Sequence, residues 1–266
     1  MAPLEKKGFL GTTIGGWIAE IRAKHNKYFE LAYETNELCQ SSMFELEPHS
    51  KHLQELLVAS LFLRAISGYQ ATILLAERGM MSESRVMART MLETVFSLCA
   101  IQKEPKLASD YAREDQHNRL KFLNKYKALH GGNLPADITP NELIELENEL
   151  KQDIGKNQSK VRSTEQWAEK AGMHDWYLSA YAMLSMSVHT KVRDLEDYMI
   201  RDAKEEVREF QWGPSDIGIQ EVLMTAIEAM LVALNAAAMV FRKDKAAAIN
   251  SLHNRLQKLV TVSVGK

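Results

Sequence analysis

Residues 222–241 read VLMTAIEAMLVALNAAAMVF. On a helical wheel this run is apolar on nearly every side, interrupted only by Glu228 and Asn235. A helix of that kind lies at the centre of a bundle or spans a membrane. A carboxylate at mid-span is costly in lipid, and the many alanines suit close helix contacts. The run therefore reads as the core helix of a soluble bundle, with Glu228 expected to reach a polar partner and no membrane role.

Working outward, the six prolines and thirteen glycines fall between helical patterns. No segment alternates as a half-buried strand does. The chain reads as all-α, a multi-helix bundle of about eight or nine helices. The spacing predicts one long first helix from near Gly16 past Cys39. A second spans about 51–77 and stops at Gly79, and a third, capped by Ser82, runs to about 102. A fourth opens at Pro105 and ends before Gly131. Thr139-Pro-Asn-Glu142 and Ser163-Thr-Glu-Gln166 are capping boxes, the first with proline at the first helical position. Asp175 is expected to cap the long helix that carries Tyr181, Ser185 and His189 and extends to about Met199. Residues 204–214 read as a structured loop anchored by Trp212, and a last amphipathic helix covers about 244–260. The whole chain, 1–266, is taken as a single helical domain. Its core is about 50–130 and 175–241, and 131–172 is a polar insertion.

Composition narrows the function classes. Hydrophobic residues make up 45% and charged residues 26%, with a net charge of −2. No global basic excess recruits nucleic acid or an anionic membrane. Cys39 and Cys99 have no CxxC or zinc-type spacing. They read as buried reduced thiols, which fits a cytoplasmic location. No signal-peptide pattern, P-loop, dinucleotide fingerprint or zincin motif occurs. Glu114-x-x-His117 lacks the second such motif that a di-iron bundle needs. His49-x-x-His52 sits at a helix start, where a solvated turn is expected. No metal and no cofactor are assigned.

Two polar strips border apolar helix faces. Tyr181, Ser185 and His189 recur every fourth residue and so share one face. Arg89 and Glu93 lie one turn apart beside Phe96. Such groups are hydrogen-bonded when they border a core. They form either a structural lock or a site in which Arg89 holds a phosphate or carboxylate and His189 acts as acid or base. Ser185 lies mid-helix without a strained turn or oxyanion hole, which argues against a serine nucleophile. Phe122, Tyr126, Lys121, Lys125 and Lys127 form a small basic-aromatic patch, a weak signal for RNA.

Arg89-x-x-x-Glu93 followed by Tyr181-x-x-x-Ser185-x-x-x-His189 resembles the pattern of an uncharacterised family of bacterial all-helical proteins known only as a domain of unknown function. The likeness covers about residues 50–240. It implies that Arg89, Glu93, Ser185 and His189 meet in the bundle, and it carries no established activity. A second likeness, to the helical nuclease domains of toxin and antiviral systems, rests on an Arg and a His a set distance apart on one helix. Arg113 and His117 are closer together than that pattern requires.

The reading is a non-catalytic helical interaction or regulatory protein of a bacterial cytosolic system, with a buried polar network at Arg89, Glu93, Tyr181, Ser185 and His189. A protein partner or a second copy of the chain is its expected ligand. The alternative is a toxin- or defence-type effector that cleaves RNA without metal. In that case His189 is the acid–base group and Arg89 stabilises the phosphate.

Overall fold

The structure is a computed structural model, and it describes residues 7–130, 139–157, 161–188 and 192–264. It is predominantly α-helical, as the periodicity predicts. The elements are α1 (Ile14–Lys24), α2 (Asn26–Met43), α3 (Leu53–Glu77), α4 (Met81–Lys103), α5 (Leu107–His130), α6 (Pro140–Asn157) and α7 (Thr164–Ala171). A short α8 (His174–Trp176) runs through a π-helical turn, Tyr177–Tyr181, into α9 (Ala182–Val188). Then come α10 (Val192–Glu196), β1 (Met199–Arg201), β2 (Val207–Phe210), α11 (Ile219–Val240) and α12 (Ala246–Val264).

Helices α3, α4 and α11 form the centre. Tyr69, Phe62, Phe96, Leu92, Ile227 and Met230 are buried there. The alanines of α11 at 226, 229, 233 and 237 are also buried, so its neighbours approach closely on several sides. Two helices, α3 and α11, are long and apolar enough to cross a membrane; in this fold each packs against the other and against α4. Glu228 differs from expectation. It is only half-buried and makes no hydrogen bond or ion pair among the described residues. Solvent at the helix flank meets its charge instead. The one fully buried carboxylate of the centre, Glu77, is paired with Arg22 at 2.8 Å.

The turn from α3 to α4 needs Gly79, whose φ is +71°. A Cβ there would lie 2.5 Å from Pro214 Cβ and 2.7 Å from the Ser215 nitrogen. This glycine therefore fixes the α3–α4 corner against the segment that leads into α11. Both capping boxes form: Ser163 and Gln166 bond each other's backbone, as do Thr139 and Glu142. Helix α4 starts at Met81, so Ser82 lies in its first turn and is not the N-cap residue.

Three expectations fail. The first long helix is broken at His25, whose φ of −113° and ψ of 31° are not helical. No proline or glycine marks this break; the buried His25 ring is held by Asp216 Oδ2 at 3.0 Å, from the far end of the chain. The helix expected to run to Met199 ends at Val188 within the described residues, and a strand begins at Met199. Asp175 does not cap the helix that carries Tyr181 and Ser185: it lies inside α8, whose N-cap residue is Met173, and the run passes through the π-helical turn Tyr177–Tyr181 before α9. The expected loop at 204–214 contains β2, antiparallel to β1. Trp212 does not anchor it, being 67% exposed.

Within the stretch 131–172, α6 packs on α5, whereas α7 packs on α4. Trp167, Ala168 and Ala171 of α7 are buried in the main core. Cys39 and Cys99 are buried and unpaired, and burial pushes both thiols up to about 12.

Candidate functional site

The polar strip of α4 and the strip that starts in the π-turn meet face to face. Arg89 and Glu93 project from one flank of α4, whose other flank carries the core residues Leu92, Val95 and Phe96. Arg89 Nε donates to Ser185 Oγ at 3.0 Å, and Nη2 donates to the Tyr181 hydroxyl and lies 3.1 Å from Glu93 Oε1. The Tyr181 hydroxyl in turn donates to Glu93 Oε1 at 2.8 Å. Ser185 Oγ donates to the Tyr181 carbonyl at 2.7 Å, the back-bond open to a mid-helix serine. Each polar group thus has its partner inside the cluster, as groups at a core border require. His189, the fifth predicted member, lies outside the described residues.

Aromatic packing holds the phenol in place. The Tyr181 ring stacks on Tyr177 with centroids 5.0 Å apart, and Phe96 approaches at 6.0 Å. His174 stacks on the far side of Tyr177 at 6.1 Å. The Arg89 guanidinium carbon is 4.7 Å from the centroid of the Tyr181 ring, within cation–π range. The π-turn inserts an extra residue per turn just where these rings stack, a local widening that is frequent at functional sites.

The electrostatics follow from this packing. Burial raises the Tyr181 pKa, and so does the hydrogen bond given to the Glu93 carboxylate; Thr164 and Arg89 pull the other way. Tyr181 is thereby kept a neutral donor. Glu93 Oε1 accepts from the Tyr181 hydroxyl and is ion-paired with Arg89 Nη2, and Arg89 Nε is committed to Ser185. What the arrangement does well is fasten the π-turn and α9 to α4. It leaves no poised base among its described members.

The neighbouring turn of α4 repeats the device. Arg85 donates to Asp197 Oδ2 at 2.7 Å and to the Ile217 carbonyl at 2.8 Å. Sequence reading missed this pair because Asp197 and Ile217 are far along the chain. The signal was that Arg85 precedes Arg89 by one turn on the same flank. Between α4, α9 and α11 lies a cavity of about 490 Å³, lined in part by Arg85, Leu184, Ser187, Asp197, Gly218 and Glu221. Arg89, Glu93, Tyr181 and Ser185 do not line it.

Other candidate ligand groups are accounted for by the fold. His49 and His52 both lie by Glu55 at an exposed helix start, with His49 Nδ1 2.8 Å from Glu55 Oε2. Glu114 accepts the Arg162 backbone N–H at 3.0 Å, and burial raises its pKa. Glu165 and Glu169 of α7 and His174 of α8 bring three donor atoms within 4.8 Å of one another, and His174 Nε2 and Glu165 already bond at 3.2 Å. These three are the described residues best placed to hold a cation, and all three are at least partly solvated.

The chain belongs to a family of unknown function, DUF5677, whose model matches residues 55–206. That span begins in α3, ends at the β1–β2 hairpin and contains Arg89, Glu93, Tyr181, Ser185 and His189. No curated protein and no solved structure matches the chain.

Proposed function

We propose that this protein is a non-catalytic helical interaction module. In this reading Arg89, Glu93, Tyr181 and Ser185 are a structural lock that fixes the segment after α7 onto α4. The observation that carries it is the set of mutual hydrogen bonds and the ion pair that join these four side chains across α4 and the π-turn. Tyr181, 6% exposed, sits between Arg89 and Glu93, and none of the four residues opens on the adjacent cavity.

The locked segment explains why such a device is worth having. From α8 to the start of α11 the chain exposes Leu178, Met183, Tyr198, Ile200, Phe210 and Trp212. These exposed apolar side chains are the part of the chain offered as a contact surface. A two-stranded hairpin is marginal by itself and gains from a rigid support. A cytosolic setting suits the two reduced, buried thiols.

The test pairs amide exchange with an RNA-cleavage assay on the wild type and Arg89→Ala. Loss of the lock should speed exchange across residues 177–188 while α3 and α11 stay protected, and neither protein should cleave RNA. Wild-type cleavage abolished by Arg89→Ala, with exchange unchanged, would overturn the reading in favour of a catalytic site.

A further inference from the structure

The cavity between α4, α9 and α11, of about 490 Å³, has the size of a small-molecule site. Leu184 and Val222, both buried, and Met186 give it apolar walls. Its hydroxyl groups set it apart. Buried and half-buried hydroxyls in the middle of the helices follow one pattern: Thr35, Thr72, Thr90, Thr94, Ser97 and Ser185 each donate to the carbonyl four residues back. Ser187 and Thr225, which line the cavity from α9 and α11, depart from it. Neither makes a hydrogen bond among the described residues, although Ser187 is only 9% exposed. Polar groups so deeply buried are partnered as a rule, and here both unpartnered hydroxyls fall in one cavity.

The charges of the lining say what suits these hydroxyls. Arg85, Asp197 and Glu221 are the charged residues among the described lining. Arg85 and Asp197 cancel: Nη1 meets the Asp197 carboxylate at 2.7 Å, and Nη2 is given to the Ile217 carbonyl at 2.8 Å. The guanidinium is also pressed against Gly218, where a Cβ would lie 2.9 Å from Nη2. It is part of the wall and not a free anion binder. Glu221 is left over, exposed and without an ion pair or hydrogen bond among the described residues. In the first turn of α11 it already supplies the negative charge that a helix N-terminus attracts, which disfavours a second anion there. Glu221 and Thr225 lie one turn apart and so share a face of α11. The cavity thus offers a carboxylate and two hydroxyls as acceptors beside an apolar wall. An alkylammonium, like the end of a lysine side chain, carries three N–H donors and no acceptor.

We infer that this cavity binds a small primary amine with an apolar body. The ammonium group is held by the Glu221 carboxylate and the Ser187 and Thr225 hydroxyls, and the body lies against Leu184, Met186 and Val222. The thioether of Met186 adapts to bodies of different shape. Arg89, Glu93, Tyr181 and Ser185 do not line the cavity, so the inference goes beyond the functional reading above, and either can fail alone.

Isothermal titration calorimetry of the full chain with phenethylamine is the test, run beside two compounds with the same body: uncharged N-acetylphenethylamine and anionic hydrocinnamate. The amine is expected to bind about tenfold more tightly than either. Glu221→Gln, at an exposed position, should remove the preference for the amine over its N-acetyl form. Ser187→Ala and Thr225→Val should each weaken amine binding while leaving the melting temperature of the ligand-free protein unchanged, because neither hydroxyl has a partner in the fold to strand. An amine that does not bind, hydrocinnamate that binds as tightly, or a Glu221→Gln protein that keeps the preference would each overturn the inference. So would a Ser187→Ala protein that melts well below the wild type, since its hydroxyl would then be serving the fold.

Discussion

The Tyr181 hydroxyl donates to Glu93 Oε1 at 2.8 Å across the seam between the π-turn and α4. The same carboxylate oxygen receives Arg89 Nη2 at 3.1 Å. One phenol thus joins two residues of a neighbouring helix that would otherwise make only an exposed i,i+4 pair, worth a few tenths of a kcal/mol. Partial burial and the third partner are what make the cluster a fastening.

The phenol gives the network a pH signature. The folded-state pKa of Tyr181 is raised by burial and by its bond to Glu93. Stability from this bond is therefore fully present below the unfolded tyrosine value, about 10, and is lost as pH rises through the raised folded value. Thermal melts of wild type and Tyr181→Phe should differ most at neutral pH and converge in strong alkali. A difference that stays constant to high pH would mean the phenol proton is not what matters.

At the acid end the informative group is Asp216. Burial alone would raise its pKa, but hydrogen bonds from His25 and Lys24 outweigh that and hold it below the usual value. Its contribution is present above the unfolded value, about 3.9, and fades as pH falls through the lower folded value. Asp216→Asn should lower the melting temperature at pH 7, and the gap to wild type should close in strong acid. An unchanged gap down to acid unfolding would remove Asp216 as the clamp on the His25 break.

How far the fold is legible in the sequence depends on where its causes lie. Helices α3, α4 and α11 carry their own periodicity, and both capping boxes carry their own hydrogen-bonding groups, so local reading suffices. The meeting of Arg89 with Tyr181 and Ser185 was legible as two polar strips beside apolar faces. The break at His25 was not, because no proline or glycine marks it and the partner that holds the His25 ring, Asp216, is 191 positions away. The β1–β2 hairpin also escaped. Its strands are three and four residues long, and they face solvent with no alternating pattern to read. Helix α7 looked polar because only Trp167, Ala168 and Ala171 enter the core, too few in an eight-residue helix to announce a face.

Two glycines with positive φ should respond differently to alanine. At Gly79 the new Cβ meets backbone and ring atoms of Pro214 and Ser215 that cannot move independently of the α11 lead. At Gly172, φ +65°, it meets only the Lys103 ammonium end at 2.5 Å, which can swing aside at the cost of its bond to the Ala171 carbonyl. Gly172→Ala should cost about 1 kcal/mol for the left-handed conformation, and Gly79→Ala clearly more. Denaturant unfolding ranks the two, and equal costs would contradict the placement of Pro214 against the α3–α4 turn.

In the proposed lock Arg89 and Tyr181 act together to hold the structure. A double-mutant cycle with Arg89→Ala, Tyr181→Phe and the combined variant, read by equilibrium denaturant unfolding, measures that directly. Each single change should cost about 1–3 kcal/mol, because it strands a partner. The double should cost less than their sum by about 1 kcal/mol. Additive losses near zero, with a native-like melt for Arg89→Ala, would contradict the claim and leave these residues free for another task.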